Sequence, residues 1–117
     1  MFDDDLFDNS FCNELKEYAD EYELHLLNTG LTKITANKHG YLLSTFFWFL
    51  DGYTQVQGFE DITKAYLNGK FRAHLNNDYK GEFTDTFVNY VLKNYFGFII
   101  DQYGISTPLI KSTLKLK

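Results

Sequence analysis

The 117-residue sequence is poor in the residues that announce particular chemistries. It has one cysteine, Cys12, which excludes an internal disulfide framework and any multi-cysteine zinc or iron–sulfur site. One proline excludes a Pro-rich linker and a collagen-like repeat. One arginine, Arg72, leaves little capacity for bidentate phosphate contacts. The longest apolar run, 41–50, is about half of the roughly 20 residues that span a bilayer. The acidic N-terminus carries no positively charged stretch before an apolar one, so no secretory leader and no membrane partner are expected. These features together predict a cytoplasmic protein.

Aromatic residues are abundant: 12 Phe, 9 Tyr and 1 Trp make 19% of the chain, and apolar residues make 44%. That is enough to build a core, and the length suits one domain of roughly 100–150 residues. The net charge of −5 is unevenly spread. Residues 1–24 hold nine acids against Lys16, a balance of −8, whereas the remainder holds ten bases against seven acids, a balance of +3. An acidic first segment can serve solvation and the helix dipole. Equally, it can present a protein-binding face that imitates nucleic acid.

Apolar periodicity predicts helices throughout. Phe11, Leu15, Tyr18, Tyr22 and Leu26 (with Leu27) recur at steps of three and four, so a first helix is expected over about 11–29, capped by Ser10 and ended by Gly30. Thr32 is placed to cap a second helix over about 33–51. Its apolar positions are Ile34, Leu42, Leu43, Phe46, Phe47, Phe49 and Leu50. Gly40 within it suggests a close helix–helix approach. A short third helix is expected from Phe59, stopped by Asn68-Gly69, with another turn or two at 71–75. Thr84 or Asp85 caps a long last helix, about 85–103, with Phe87, Val88, Val91, Leu92, Tyr95, Phe98 and Ile99 on its inner face. Gly104 and Pro108 end it, and 109–117 reads as an extended tail. The expected architecture is all-α: an acidic lead-in at 1–9, a single compact bundle of four to five helices at 10–105, and a Lys-containing tail at 106–117.

Catalytic signatures are missing. There is no phosphate-binding glycine loop, and His25, His39 and His74 lack the i, i+4 partner of a helical metal site. Cys12 stands near a helix N-terminus that would lower its pKa, but a small buried apolar residue is the reading that the sequence favours. No enzyme activity, cofactor or metal is expected. Trp48 falls between core positions, which predicts half exposure and a role as a partner anchor or a boundary residue.

One constellation carries a family likeness. Gly30-Leu31-Thr32-x-x-Thr35, followed by His39, Leu43, Phe46 and Phe49-Leu50, and then an ending at Tyr103-Gly104-Ile105 before a Pro- and Lys-containing segment, resembles the SAM-like core-binding domain of phage integrases and other tyrosine recombinases. The likeness spans 24–108 and implies a helical half-clamp on duplex DNA in a mobile-element context. Carried over by position, the contacts would be Thr32, Lys33, Thr35 and Lys38 at the start of the second helix, with Lys80 and Lys93. Capping and ordinary solvation account for the same residues. The recombinase catalytic domain, rich in arginine and carrying a nucleophilic tyrosine, has no counterpart in this sequence, so recombinase chemistry is not expected. The alternative is a small acidic interaction or inhibitor module, a phage-type antagonist of a basic nucleic-acid-binding protein. Its contacts would be Asp20, Glu21, Glu23 and Trp48.

Overall fold

The computed structural model describes residues 7–62, 65–105 and 108–114. All regular structure among these residues is helical, as the periodicity predicts. No helix among them is long and apolar enough to cross a membrane. The chain divides into two compact units, Met1–Gln57 and Gly58–Lys117.

The first unit is a helical hairpin of α1 (Ser10–Asn28) and α2 (Lys33–Tyr53). Asn9, rather than Ser10, caps α1: its side chain accepts from the N–H groups of Phe11 and Cys12 at 2.8 and 3.3 Å. The hydroxyl expected to cap thus lies one residue inside the helix. The first turn of α1 itself holds no acid. At the other end, Gly30 at φ 102° closes a Schellman-type turn. Leu31 N–H donates to Leu26 O at 3.1 Å and Gly30 N–H to Leu27 O at 3.2 Å. Two residues later Thr32 caps α2 as expected, its Oγ1 accepting from Thr35 N–H at 3.2 Å.

Contacts pair Asn9 with Asp51 at one end and Tyr22 with His39 further along, so the two helices run antiparallel. Leu15, Ala19 and Tyr22 are buried on α1, and Leu42, Leu43, Phe46, Phe47 and Leu50 on α2. Ile34 does not join this core; it is 72% exposed. Its position one residue into α2, beside the turn, turns it away from the side that Ala36, His39 and Leu43 bury. Phe7 is buried too, so the lead-in is packed in its last residues, and 1–6 lie outside the described residues.

His39 is inside the hairpin, 2% exposed, with Nδ1 at 3.2 Å from the Tyr22 hydroxyl. Burial lowers its pKa from the ordinary 6.5. The unfolded chain therefore takes up this proton before the folded one does. The native state keeps this part of its stability above the ordinary histidine range and loses it as pH falls from there to the lowered native value. Stability should begin to drop below about pH 7, and His39→Gln should flatten the drop. A pH profile of the urea midpoint that is identical in the variant would contradict this.

In the second unit a single 3₁₀ turn, Phe59–Asp61, precedes a wide π-helical segment, Ala65–Lys70, that runs straight into α3 (Phe71–Asp78). Asn68-Gly69 does not stop the helix. Gly69 is not among the glycines with positive φ, so it never takes the left-handed geometry of a C-cap. A lone glycine inside a helix costs only about 1 kcal/mol, which the flanking apolar residues outweigh. α4 (Asp85–Tyr103) is capped by Thr84, whose Oγ1 accepts from Phe87 N–H at 3.1 Å, and ends on Gly104 at φ 65°. It buries Val88, Val91, Leu92, Tyr95, Phe96 and Ile99. Phe96 is buried where Phe87 and Phe98 were expected, and those two stay partly exposed. The segment beyond Pro108 is not an extended tail. Pro108–Leu114 forms α5, and Ile110 is fully buried. Proline, harmful inside a helix, is favourable in the first turn, where its missing N–H has no intrahelical partner to lose. The remaining tail residues, 106–107 and 115–117, lie outside the described residues.

Candidate interaction surface on the first two helices

Glu14, Glu17, Asp20 and Glu21 are all exposed on α1. Steps of three and four residues along a helix keep them on one outward side, away from the buried Leu15, Ala19 and Tyr22. The only base on the helix besides His25 is Lys16, whose Nζ lies 3.4 Å from Asp20 Oδ2. An exposed pair of that kind contributes little to stability. Leu24 and Leu27 follow on the same helix, 55% and 41% exposed. The outward side of α1 therefore runs from acidic to apolar toward the hairpin turn.

Glu23 is different from its neighbours. It faces α2, where Lys16, Ala19, Asp20 and Glu23 line a hollow of about 90 Å³ with Gly40, Ser44 and Phe47. A Cβ placed on Gly40 would collide with Glu23 Oε1. The close approach anticipated at Gly40 is thus to a carboxylate, not to a neighbouring backbone. Burial raises the Glu23 pKa, the Asp20 charge raises it further, and Lys16 opposes both. Of the three acids expected to bind a partner, Asp20 and Glu21 are outward and Glu23 is committed to the helix pair.

The obstruction at Gly40 is the far end of a flexible side chain, which can swing into solvent. Gly40→Ala should therefore be tolerated and should raise stability by up to about 1 kcal/mol through helix propensity. In the same variant the Glu23 carboxyl should titrate closer to the ordinary glutamate range. A loss of more than about 1 kcal/mol in urea unfolding would show that the glycine is needed for backbone contact instead.

Trp48 is 49% exposed, as its position predicts, with its ring packed edge-on to Phe7 at 4.5 Å between centroids. Thr32 and Thr35 hydrogen-bond to each other, Oγ1 to Oγ1 at 3.0 Å, so both hydroxyls serve the cap of α2. Lys33 and Lys38 are exposed in the first unit, Lys80 and Lys93 in the second, and none of the four joins an ion pair among the described residues. Five residues separate Lys33 from Lys38, about 140° around the helix, so they do not share one line.

The groups considered for chemistry are engaged structurally. Cys12 is fully buried, as the sequence favoured, and burial with the nearby Asp51 charge pushes its thiol up to about 12. His74 pairs with Asp78 at 3.2 Å. Arg72 reaches across from α3 to Asp85 at 3.4 Å and to Asn89 at the start of α4, while its Nε is buried without a hydrogen-bond partner. No group of three or more metal-ligating side chains occurs among the described residues.

Sequence patterning does not single out Glu14 and Glu17 as outward acids, the exposed Leu24, or Tyr41, 49% exposed, and it groups Leu27 with the apolar face of α1, whereas Leu27 is exposed. The spacing of Ile34, Tyr41 and Trp48, seven residues each time, was the available signal for an exposed stripe on α2. Compared with models of known protein families, with curated proteins and with solved structures, the chain has no match.

Proposed function

We propose that the chain is a non-catalytic helical interaction module that binds a basic, nucleic-acid-binding protein through the outward side of α1. The observation that carries this reading is the row Glu14, Glu17, Asp20 and Glu21, exposed together and opposed by Lys16 alone. Carboxylates repeated along a rigid rod offer a basic groove the charge pattern it meets in a phosphate backbone, and Leu24 and Leu27 add apolar contact beside it. The test is capture from an extract of the native cells on immobilised protein. Wild type should retain a basic protein that Glu14→Gln/Glu17→Gln/Glu21→Gln does not, with the fold of the variant checked by circular dichroism. Equal retention by the variant would overturn the reading.

The second reading is the core-binding-like DNA module implied by the integrase resemblance. Lys33, Lys38, Lys80 and Lys93, exposed and without ion pairs among the described residues, favour it. Thr32 and Thr35, engaged with each other, add nothing to it. Lysine–phosphate contacts by the two lysines of either unit would give binding that weakens with a log–log salt slope of about −1.8. A mobility shift of duplex DNA at about 20 mM salt with that slope would establish this reading in place of the first. Absence of any shift would remove it.

A further inference from the structure

Ile34, Tyr41 and Trp48 are 72%, 49% and 49% exposed and lie seven residues apart on α2. Seven residues fall about 20° short of two full turns, so the three side chains form one stripe. Of the positions three and four places along from these, Asn37 and Ser44 carry short side chains without charge, Lys38 is exposed and Thr45 is buried. Large residues at every seventh place with shorter ones between are the pattern by which one helix seats against another.

We propose that this stripe is the contact between two copies of the chain. What identifies the occupant is the charge along the two margins. On the margin next to α1, Asp20 and Glu23 border the hollow beside Gly40 and Ser44, with Lys16 as the one base, so that margin is net negative. Glu23 has no hydrogen-bond or ion-pair partner among the described residues. The opposite margin carries Lys38, exposed and outside every ion pair among the described residues. Lys38 sits about 160° around the helix from Gly40, and only about 3 Å along the axis from it. A surface that is negative on one margin and positive on the other complements itself under a two-fold axis parallel to α2. That axis sets Ile34, Tyr41 and Trp48 against their own copies and carries each Lys38 to the acidic margin of the second copy. A two-fold axis perpendicular to α2 and lying along the interface sets like margin against like, which electrostatics disfavours. Asp20 belongs to both surfaces, whereas Glu14, Glu17 and Glu21 stay free in this arrangement, and the capture variant, which keeps Asp20, tests the binding of a basic protein apart from the dimer.

The test is sedimentation equilibrium of the purified chain with charge-reversed variants at these exposed positions. Wild type should show a dimer mass at about 200 µM and dissociate toward about 1 µM, the range expected of a small interface. Lys38→Glu should weaken association at least about tenfold, and Lys38→Glu/Asp20→Lys should recover most of it. Tyr41→Glu should give a monomer with an unchanged helical circular dichroism spectrum. Should Tyr41→Glu fail to fold, the charge-reversal pair decides alone. For the axis, Ile34→Cys should cross-link between copies on mild oxidation far faster than Lys93→Cys. A wild-type monomer at the highest concentration, a dimer unaffected by Lys38→Glu, or equal cross-linking at both cysteines would overturn the proposal.

Discussion

Phe46→Ala will lower the unfolding free energy by about 3–5 kcal/mol, while Trp48→Ala, two residues along the same helix, will lower it by about 1 kcal/mol. Phe46 is fully buried on α2, next to Phe47 at 6.2 Å between ring centroids. Removing it forfeits the transfer free energy of the ring and leaves a cavity that the surrounding side chains close only in part. Trp48 is 49% exposed and its main described contact is the edge of Phe7. Two residues on a helix are about 200° apart, so these two aromatic rings face opposite environments. Urea unfolding followed by circular dichroism measures both, since removing the only tryptophan abolishes its fluorescence. Equal losses would mean that Trp48 is a core residue and that the exposed stripe on α2 is misassigned.

Asn9→Ala will cost about 2–3 kcal/mol, large for a residue at the edge of a helix. Its Oδ1 accepts from two N–H groups at the start of α1, its Nδ2 donates to Val56 O, and its own N–H donates to Asp51 Oδ1 at 2.9 Å. One side chain thereby satisfies the N-terminus of α1 and fastens it to the segment after α2. Loss of the cap accounts for about 1 kcal/mol, and an unpaired carbonyl at the partly buried Val56 position for about another 1–2. Asn9→Asp keeps the acceptor but loses the donor and adds a carboxylate beside Asp51, so it should recover only part of the loss. Thermal and urea unfolding check both variants. A cost below about 0.5 kcal/mol for Asn9→Ala would show that the staple is dispensable.

The helices were legible in the sequence where local chemistry decides them. Thr32, Thr84, Gly30 and Gly104 terminate helices in the structure as their side chains, or lack of one, predict. Most of the buried positions of α1 and α2 followed from steps of three and four residues, whereas Leu27 and Ile34, read into the same runs, are exposed. What escaped was decided by longer-range packing. Leu109 to Leu114 looks like a weak alternation, yet burying Ile110 and Leu114 makes it a helix. Asn68-Gly69 has the letters of a stop, and whether such a pair stops a helix depends on whether glycine enters the left-handed region, which it does not here.

The candidate surface was half legible. Charge asymmetry identified α1, and Asp20 and Glu21 are outward as expected, whereas Glu23 is turned toward Gly40 by a helix pairing that no local pattern reveals. Cys12, by contrast, was legible: the sequence favoured a small buried apolar residue, and the structure buries it completely.

Competition with nucleic acid tests the central claim most directly. A basic protein held by the immobilised chain should elute when short duplex DNA is added at low salt, because DNA and the acidic side of α1 contend for one surface. Retention of that protein in the presence of excess duplex would contradict charge imitation by α1.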